Sequence, residues 1–210
     1  MRDERGAQLI TPVLLVGCLI VMVGFAIRAS FGVFQIPIQN EFGWARTEFS
    51  LAIAIQNLAW GFGAPIFGAF AEKMGDRRAI FLGAFLYALG LILTTGASSA
   101  FAVQFYEILV GFGIAGTGFG VILAVVGRAS APKHRAMSLA IATAAGSAGQ
   151  IIGPPVAVYL LGEMSWQSVF LIFAVSILSI LVFLPLMKAP ELVHKDEIEE
   201  SLGEILRIAF

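Results

Sequence analysis

Two ionisable side chains, Arg28 and Glu107, stand inside long apolar stretches of the sequence. A guanidinium group can hold a carboxylate or a phosphate through two parallel hydrogen bonds, and a nearby carboxylate can balance such a cation. Gly24 and Gly32 lie four residues to either side of Arg28. Gly111 lies four residues after Glu107, so small residues share the helix face of each charge. Each of these faces therefore belongs against another helix or a water-filled cavity, and Glu107 is the natural counter-charge for Arg28.

Among the amide side chains in similar apolar stretches, four are candidate site residues: Gln35, Gln56, Asn57 and Gln150. Gln35 follows Arg28 by seven residues and therefore falls on the same face of a helix. Buried amides require hydrogen-bond partners. We expect the four amides to line the same cavity as Arg28 or to join neighbouring helices, and the sequence leaves both options open.

The elements that carry these residues are apolar enough to cross a lipid bilayer. The 210 residues are 59% hydrophobic and 13% charged, whereas a soluble domain is about a quarter charged. A helix needs about 20 apolar residues to cross a hydrocarbon core of about 30 Å. The stretches lack the alternation of a membrane β-barrel, so they predict an all-α integral membrane protein. The six predicted spans cover about Pro12–Ile38, Phe49–Ala71, Ala79–Gly96, Phe101–Gly127, Ala136–Gly162 and Trp166–Met187.

The basic residues predict the orientation of the spans. With a cytoplasmic N-terminus, the opposite side carries only Arg46, and Arg28 lies within a span. Because cytoplasmic segments are rich in Lys and Arg, we expect both termini to be cytoplasmic. The remaining basic residues then all lie on the cytoplasmic side: Arg2, Arg5, Lys73, Arg77, Arg78, Arg128, Lys133, Arg135, Lys188, Lys195 and Arg207.

This placement leaves alternatives for the two charges within the spans. An arginine at mid-membrane costs about 2.5–3.5 kcal/mol on insertion scales, so it needs compensation. Arg28 could serve a structural ion pair or extend its side chain to the outer interface. Glu107 could instead carry a proton, since a low dielectric disfavours its charge.

The segment between the second and third spans, residues 68–78, has a distinctive pattern of glycines and charges. Gly68 removes side-chain bulk where two helices approach, and Gly75 permits a turn with positive φ. Glu72 can pair with a cation or with a helix N-terminus. The defined positions are Gly68, Glu72, Lys73, Gly75, Arg77 and Arg78.

These positions match the pattern G-x-x-x-[D/E]-[R/K]-x-G-x-[R/K]-[R/K], and the segment resembles the signature loop of the major facilitator superfamily. The resemblance implies a fold of six helices in two three-helix inverted repeats, which is the N-terminal half of a two-half transporter. Residues 1–11 would be a cytoplasmic N-terminus, 12–187 the transmembrane domain and 188–210 the start of a cytoplasmic linker. In that fold the first and fourth spans line a central cavity, so the resemblance implies that Arg28 and Glu107 face this cavity, where their charges can pair. A missing C-terminal six-helix half, or a second copy of the chain, would complete the cavity.

In that family the loop is a cytoplasmic latch that stabilises the outward-open state. The resemblance implies that Glu72 and Arg77 hold the latch. Arg128, at the cytoplasmic end of the fourth span, is a candidate partner for Glu72. The alternative is that Arg128 is a simple anchoring charge.

Two further resemblances concern the branch of the family. Gly149, Gly153 and Pro154 resemble the core of the span-five signature of drug:proton antiporters, although that signature's flanking glycines are absent. The alternative is close helix packing with a proline hinge. Residues 31–34 and 42–47, with Pro37 between them, resemble monocarboxylate and oxalate/formate porters. Many family members carry an arginine at the position of Glu107, and in some branches that arginine is linked to proton coupling. Its replacement by Glu107 in this chain weighs against proton antiport.

We therefore expect a secondary transporter of the plasma (inner) membrane, working by alternating access on a small organic solute, with a monocarboxylate or related anion as substrate. A proton-coupled drug or metabolite efflux antiporter, or a nonfunctional half-transporter, are the alternatives. No G-x-x-x-x-G-K-[S/T] motif indicates an ATP-driven pump, and no residue set predicts an enzyme, a metal site or a cofactor. The net charge of −1 argues against a nucleic-acid partner.

Overall fold

A computed structural model describes residues 8–190 of the chain. The predicted linker at 188–210 lies mostly outside the described residues, as do residues 1–7. Within residues 8–190 the secondary structure is helical and contains no strand.

Six helices in residues 8–190 are long and apolar enough to cross a membrane, by length and composition. The prediction of an all-α protein with six spans is confirmed, and the predicted boundaries lie within a few residues of those observed. We number the helices span 1 (Pro12–Phe42), span 2 (Arg46–Met74), span 3 (Asp76–Thr95), span 4 (Ala100–Ala129), span 5 (Arg135–Glu163) and span 6 (Trp166–Leu186).

The helix starts and ends follow from local chemistry. The hydroxyl groups of Thr11, Ser99 and Ser165 each accept a hydrogen bond from a backbone N–H in the first turn of spans 1, 4 and 6. Span 1 extends past the predicted end at Ile38 because the first residue with left-handed backbone is Gly43, with φ 68°. The links between consecutive spans are short, so consecutive helices run antiparallel.

Two spans are irregular inside their apolar stretches. Span 1 contains a 3₁₀ turn at Phe31–Phe34, three residues after Arg28. Span 4 is interrupted at Gly118, which has an extended backbone and separates the helical segments Ala100–Thr117 and Phe119–Ala129. The 3₁₀ turn follows Arg28, and Gly118 lies near the indole nitrogen of Trp60.

The packing of the spans has the symmetry of two repeats. Span 1 packs mainly on span 5, and span 2 packs mainly on span 4. Exchanging spans 1–3 with spans 4–6 converts the first pair into the second, as two three-helix repeats require. Spans 2 and 5 are the least buried of the six, and each presents a row of exposed apolar side chains.

Candidate functional site

Arg28 lies where span 1 faces span 2. Its Nη2 donates a hydrogen bond to Oδ1 of Asn57 over 2.7 Å. Its guanidinium carbon lies 4.6 Å from the centroid of the Trp60 ring, which is a cation–π distance. Asn57 in turn donates from Nδ2 to the carbonyl of Ile53 over 2.8 Å, which orients its amide oxygen toward Arg28. Asn57 and Trp60 thus bind the guanidinium group together, through a hydrogen bond and a cation–π contact.

Glu107 lies on span 4 and is 2% exposed. Its Oε2 accepts a hydrogen bond from Nε2 of Gln56, which is 1% exposed, over 2.7 Å. One turn further along span 4, a Cβ on Gly111 would collide with the carbonyl oxygen of Gln56. The absence of a side chain at Gly111 therefore lets the two backbones come close enough for Gln56 to reach Glu107.

The predicted ion pair between Arg28 and Glu107 is wrong. The two residues bond instead to neighbouring amides of span 2, Asn57 and Gln56. Consecutive residues of an α-helix point about 100° apart, so Asn57 reaches span 1 while Gln56 reaches span 4. Among the described contacts, span 2 separates the cation from the carboxylate with two neutral amides.

Two aromatic residues of the site were not predicted. Trp60 stacks beneath Arg28 and also meets the Phe25 ring edge-on, with centroids 6.0 Å apart. Tyr87, fully buried on span 3, donates its hydroxyl hydrogen to the carbonyl of Gly24 over 3.0 Å. The usable signals were the spacing of Trp60 one turn after Asn57, and the need of a buried tyrosine hydroxyl for an acceptor.

The other two predicted amides lie in different surroundings. Nε2 of Gln35 and Nε of Arg28 are both buried, and neither has a hydrogen-bond acceptor among the described residues. These two unsatisfied donors both lie on span 1, seven residues apart, with the 3₁₀ turn Phe31–Phe34 between them. Gln150 is exposed on span 5 and does not join the cluster formed by Arg28, Gln56, Asn57 and Glu107.

The loop between spans 2 and 3 turns at Gly75, whose φ of 96° favours glycine. Asp76, the first residue of span 3, accepts two hydrogen bonds of 2.6 Å from Nη2 of Arg128. The prediction that Arg128 pairs with Glu72 is therefore wrong. Glu72 is exposed in the last turn of span 2, whereas the turn at Gly75 brings Asp76 to span 4. An acidic residue in the first turn of a helix was the available signal for Asp76.

The remaining latch candidates contact other parts of the loop or of span 6. Arg77 donates from Nε to the carbonyl of Met187 and from Nη2 to that of Pro185, each over 3.0 Å. Arg78 donates to the carbonyl of Met74 over 3.4 Å, and Lys73 is exposed.

The predicted helix approach at Gly68 is wrong for the described part of the chain, since a Cβ there would meet nothing within 4 Å. The close approach occurs one and a half turns earlier, at Gly63. A Cβ on Gly63 would lie 2.8 Å from the side chain of Ala115 on span 4.

The glycines of span 5 lie against span 1. A Cβ on Gly149 would collide with the carbonyl oxygen of Met22, and one on Gly153 with that of Ala26. Pro154 stands within the helix, which runs unbroken from Arg135 to Glu163. The geometry of this segment is that of close helix packing.

Comparison with known proteins agrees with this architecture. A family model described as the Major Facilitator Superfamily matches residues 16–209. Vacuolar basic amino acid transporter 5 of Saccharomyces cerevisiae is 26% identical over 81% of this chain and 28% of its own length. The glycerol-3-phosphate transporter of Bacillus subtilis is 26% identical over 90% of this chain and 45% of its own length.

A solved structure has the same arrangement of helices. The crystal structure of a bacterial homologue of the human lysosomal transporter Spinster, inward-facing and unoccupied, matches with a TM-score of 0.73 and 18% identity. The match covers 99% of this chain and 49% of that chain. The chain therefore spans about half or less of the length of the proteins that it resembles.

Proposed function

The chain belongs to the major facilitator superfamily, and on that premise we propose that its six spans form the N-terminal half of a secondary transporter for a small organic anion, a monocarboxylate or a related solute. The transporter works by alternating access and lies in the plasma (inner) membrane with both chain ends on the cytoplasmic side. A second six-helix half, or a second copy of this chain, supplies the other wall of its cavity.

The observation that supports an anionic substrate is the environment of Arg28. Its hydrogen-bond partner is the neutral amide of Asn57, and its ring partner is the neutral Trp60. Neither contact cancels the charge, and a cation deep in a membrane protein needs a counter-charge. A substrate carboxylate that accepts from the unsatisfied Nε of Arg28 supplies both the missing acceptor and the missing charge.

Gln35 extends the same binding surface. Its buried Nε2 also lacks an acceptor among the described residues, and it lies on the same span as Arg28. A carboxylate bound at Arg28 has further oxygens to place, and Gln35 offers a neutral donor for a hydroxyl or carbonyl oxygen of the same solute. The name of the Bacillus subtilis relative specifies glycerol-3-phosphate, which is also an anion.

A second candidate is the proton-coupled efflux antiporter, and Glu107 is the observation that favours it. Its carboxyl group is almost fully buried and bonds to the neutral Gln56 rather than to a cation. Such a group can bind and release a proton during a transport cycle. The two candidates differ in which residue transport depends on, Arg28 or Glu107.

Uptake of radiolabelled monocarboxylates into proteoliposomes tests the proposal, with the natural polypeptide that carries this sequence. Arg28→Ala should reduce saturable uptake at least tenfold, because the substrate loses a charge-assisted contact of about 1.5–3 kcal/mol. Arg46→Ala, which removes an exposed arginine at the start of span 2, is the matched control and should leave uptake unchanged. Uptake that survives Arg28→Ala with the same KM would contradict an anion site at Arg28.

Glu107→Gln in the same assay separates the two candidates. An anion carrier with its site at Arg28 should keep exchange of labelled substrate in this variant. Loss of gradient-driven efflux of a cationic drug in Glu107→Gln, with Arg28→Ala still active, would favour the antiporter.

A further inference from the structure

The basic ends of spans 3 and 6 enclose an open cavity that takes no part in the polar cluster around Arg28. Its volume is about 570 Å³, and it lies between the loop before span 3 and the end of span 6. The cavity is lined by residues 74–78 and 187–189. Both linings are the ends of apolar helices, so the cavity lies at the level where a membrane meets water.

The cavity carries net positive charge. Arg77 donates hydrogen bonds to two carbonyl oxygens at the C-terminal end of span 6, those of Pro185 and Met187, and these neutral acceptors leave its charge in place. Arg78 and Lys188 are both exposed on the lining. The single acid of the lining, Asp76, already pairs with Arg128 over 2.6 Å. The charges of Arg77, Arg78 and Lys188 therefore remain without an acidic partner in the lining.

An apolar surface continues from this cationic rim along both helices. Phe81 and Phe85 follow Arg77 at i+4 and i+8 on one face of span 3, and they are 52% and 47% exposed. On span 6, Phe183 and Leu186 are 44% and 49% exposed. A cationic rim at the membrane surface, followed by exposed rings that run into the membrane, matches the two parts of a phospholipid.

We propose that this cavity binds the headgroup phosphate of an anionic phospholipid, with an acyl chain lying on the aromatic face of span 3. Arg77, Arg78 and Lys188 contact the phosphate, and Phe81 and Phe85 contact the chain. Because Arg77 also bonds to span 6, the bound lipid joins the ends of spans 3 and 6. The proposal is independent of the transported solute.

Native mass spectrometry of the 210-residue chain in a mild detergent tests this site, with phosphatidylglycerol and phosphatidylcholine as probes. The test variant is Arg78→Gln with Lys188→Gln, which keeps the Arg77 contacts with span 6. The matched control, Lys133→Gln with Arg135→Gln, also removes two charges, from the loop before span 5 and from the first residue of span 5. At roughly fivefold per basic residue, the Kd for phosphatidylglycerol should rise about 10- to 30-fold in the test variant only.

Four results would overturn the proposal. Equal weakening in the test and control variants would show a general attraction to basic surface rather than a site. Equally tight binding of phosphatidylcholine, or an unchanged Kd in the test variant, would show that the cations do not select the lipid. Complete competition by millimolar inorganic phosphate would show a site for a free anion, without a contribution from the aromatic face.

Discussion

The seam between spans 1 and 5 and the seam between spans 2 and 4 are equivalent under exchange of the two repeats, yet they differ in chemistry. In the first, Gly149 and Gly153 lie so close to backbone carbonyls of span 1 that a Cβ on either would collide with them. In the second, Gly111 presses on the carbonyl of Gln56, and beside this contact the Gln56 amide binds Glu107. The close approach of backbones is common to both seams, while the buried interhelical hydrogen bond occurs in the second.

Ser30 shows why no side-chain bond of this kind is found in the first seam among residues 8–190. Its hydroxyl is fully buried and donates to the carbonyl of Ala26, four residues earlier in the same helix, over 2.7 Å. A short hydroxyl side chain satisfies itself locally in this way. The longer Gln56 reaches across to span 4. Glycine contacts therefore set the distance between helices, and side-chain length decides whether a polar group links them.

The largest effect should come from filling the first seam. In Gly149→Ala with Gly153→Ala, both new Cβ atoms meet backbone oxygens, which cannot move as a side-chain end can. We expect a loss of about 3 kcal/mol or more and little folded protein, measured by size-exclusion chromatography in detergent. Gly61→Ala is the control, because a Cβ at Gly61 meets nothing within 4 Å. Normal yield of the double variant would mean that the two helices pack less closely than the structure shows.

Gly111→Ala should have the next largest effect, since it adds one Cβ against the second seam. We expect a loss of about 1–3 kcal/mol, visible as a lower melting temperature in tryptophan fluorescence. The variant separates spans 2 and 4, so the hydrogen bond between Gln56 and Glu107 should weaken as well. In a double-mutant cycle with Gln56→Ala, the two losses should therefore be less than additive. Strict additivity would show that packing and the polar bond are independent.

Truncation of the carboxyl group tests the polar bond alone. Glu107→Ala leaves the buried Nε2 of Gln56 without an acceptor, which costs about 1–3 kcal/mol. Glu107→Gln offers an amide oxygen at the same place and should recover most of that loss. Melting temperatures of the two variants measure the difference. If Glu107→Gln is as unstable as Glu107→Ala, the charge of Glu107 is needed, and the neutral amide of Gln56 is not its main partner.

The helices could be predicted from the sequence because hydropathy and end signals are local properties of the chain. The partners within the site could not, because they depend on which way each helix is turned. Arg28 and Glu107 carry opposite charges, yet each bonds to one of two consecutive residues of span 2, Asn57 and Gln56, rather than to the other. Asp76 was missed for a related reason, since only the direction of the turn at Gly75 decides between it and Glu72.

The smallest effect should come from the polar group of the first seam. Ser30→Ala removes a hydroxyl whose acceptor, the Ala26 carbonyl, belongs to the same helix. Loss of the hydroxyl leaves no other buried side chain without a partner, and it creates only a small cavity. The free energy of unfolding, measured by the melting temperature, should therefore fall by about 0.5–1 kcal/mol at most. Compared with Glu107→Ala under identical conditions, this variant measures the difference between a polar group satisfied within one helix and a polar group that joins two. A loss as large as that of Glu107→Ala would show that the first seam also depends on a polar link, and the two seams would then be equivalent in chemistry as well as in symmetry.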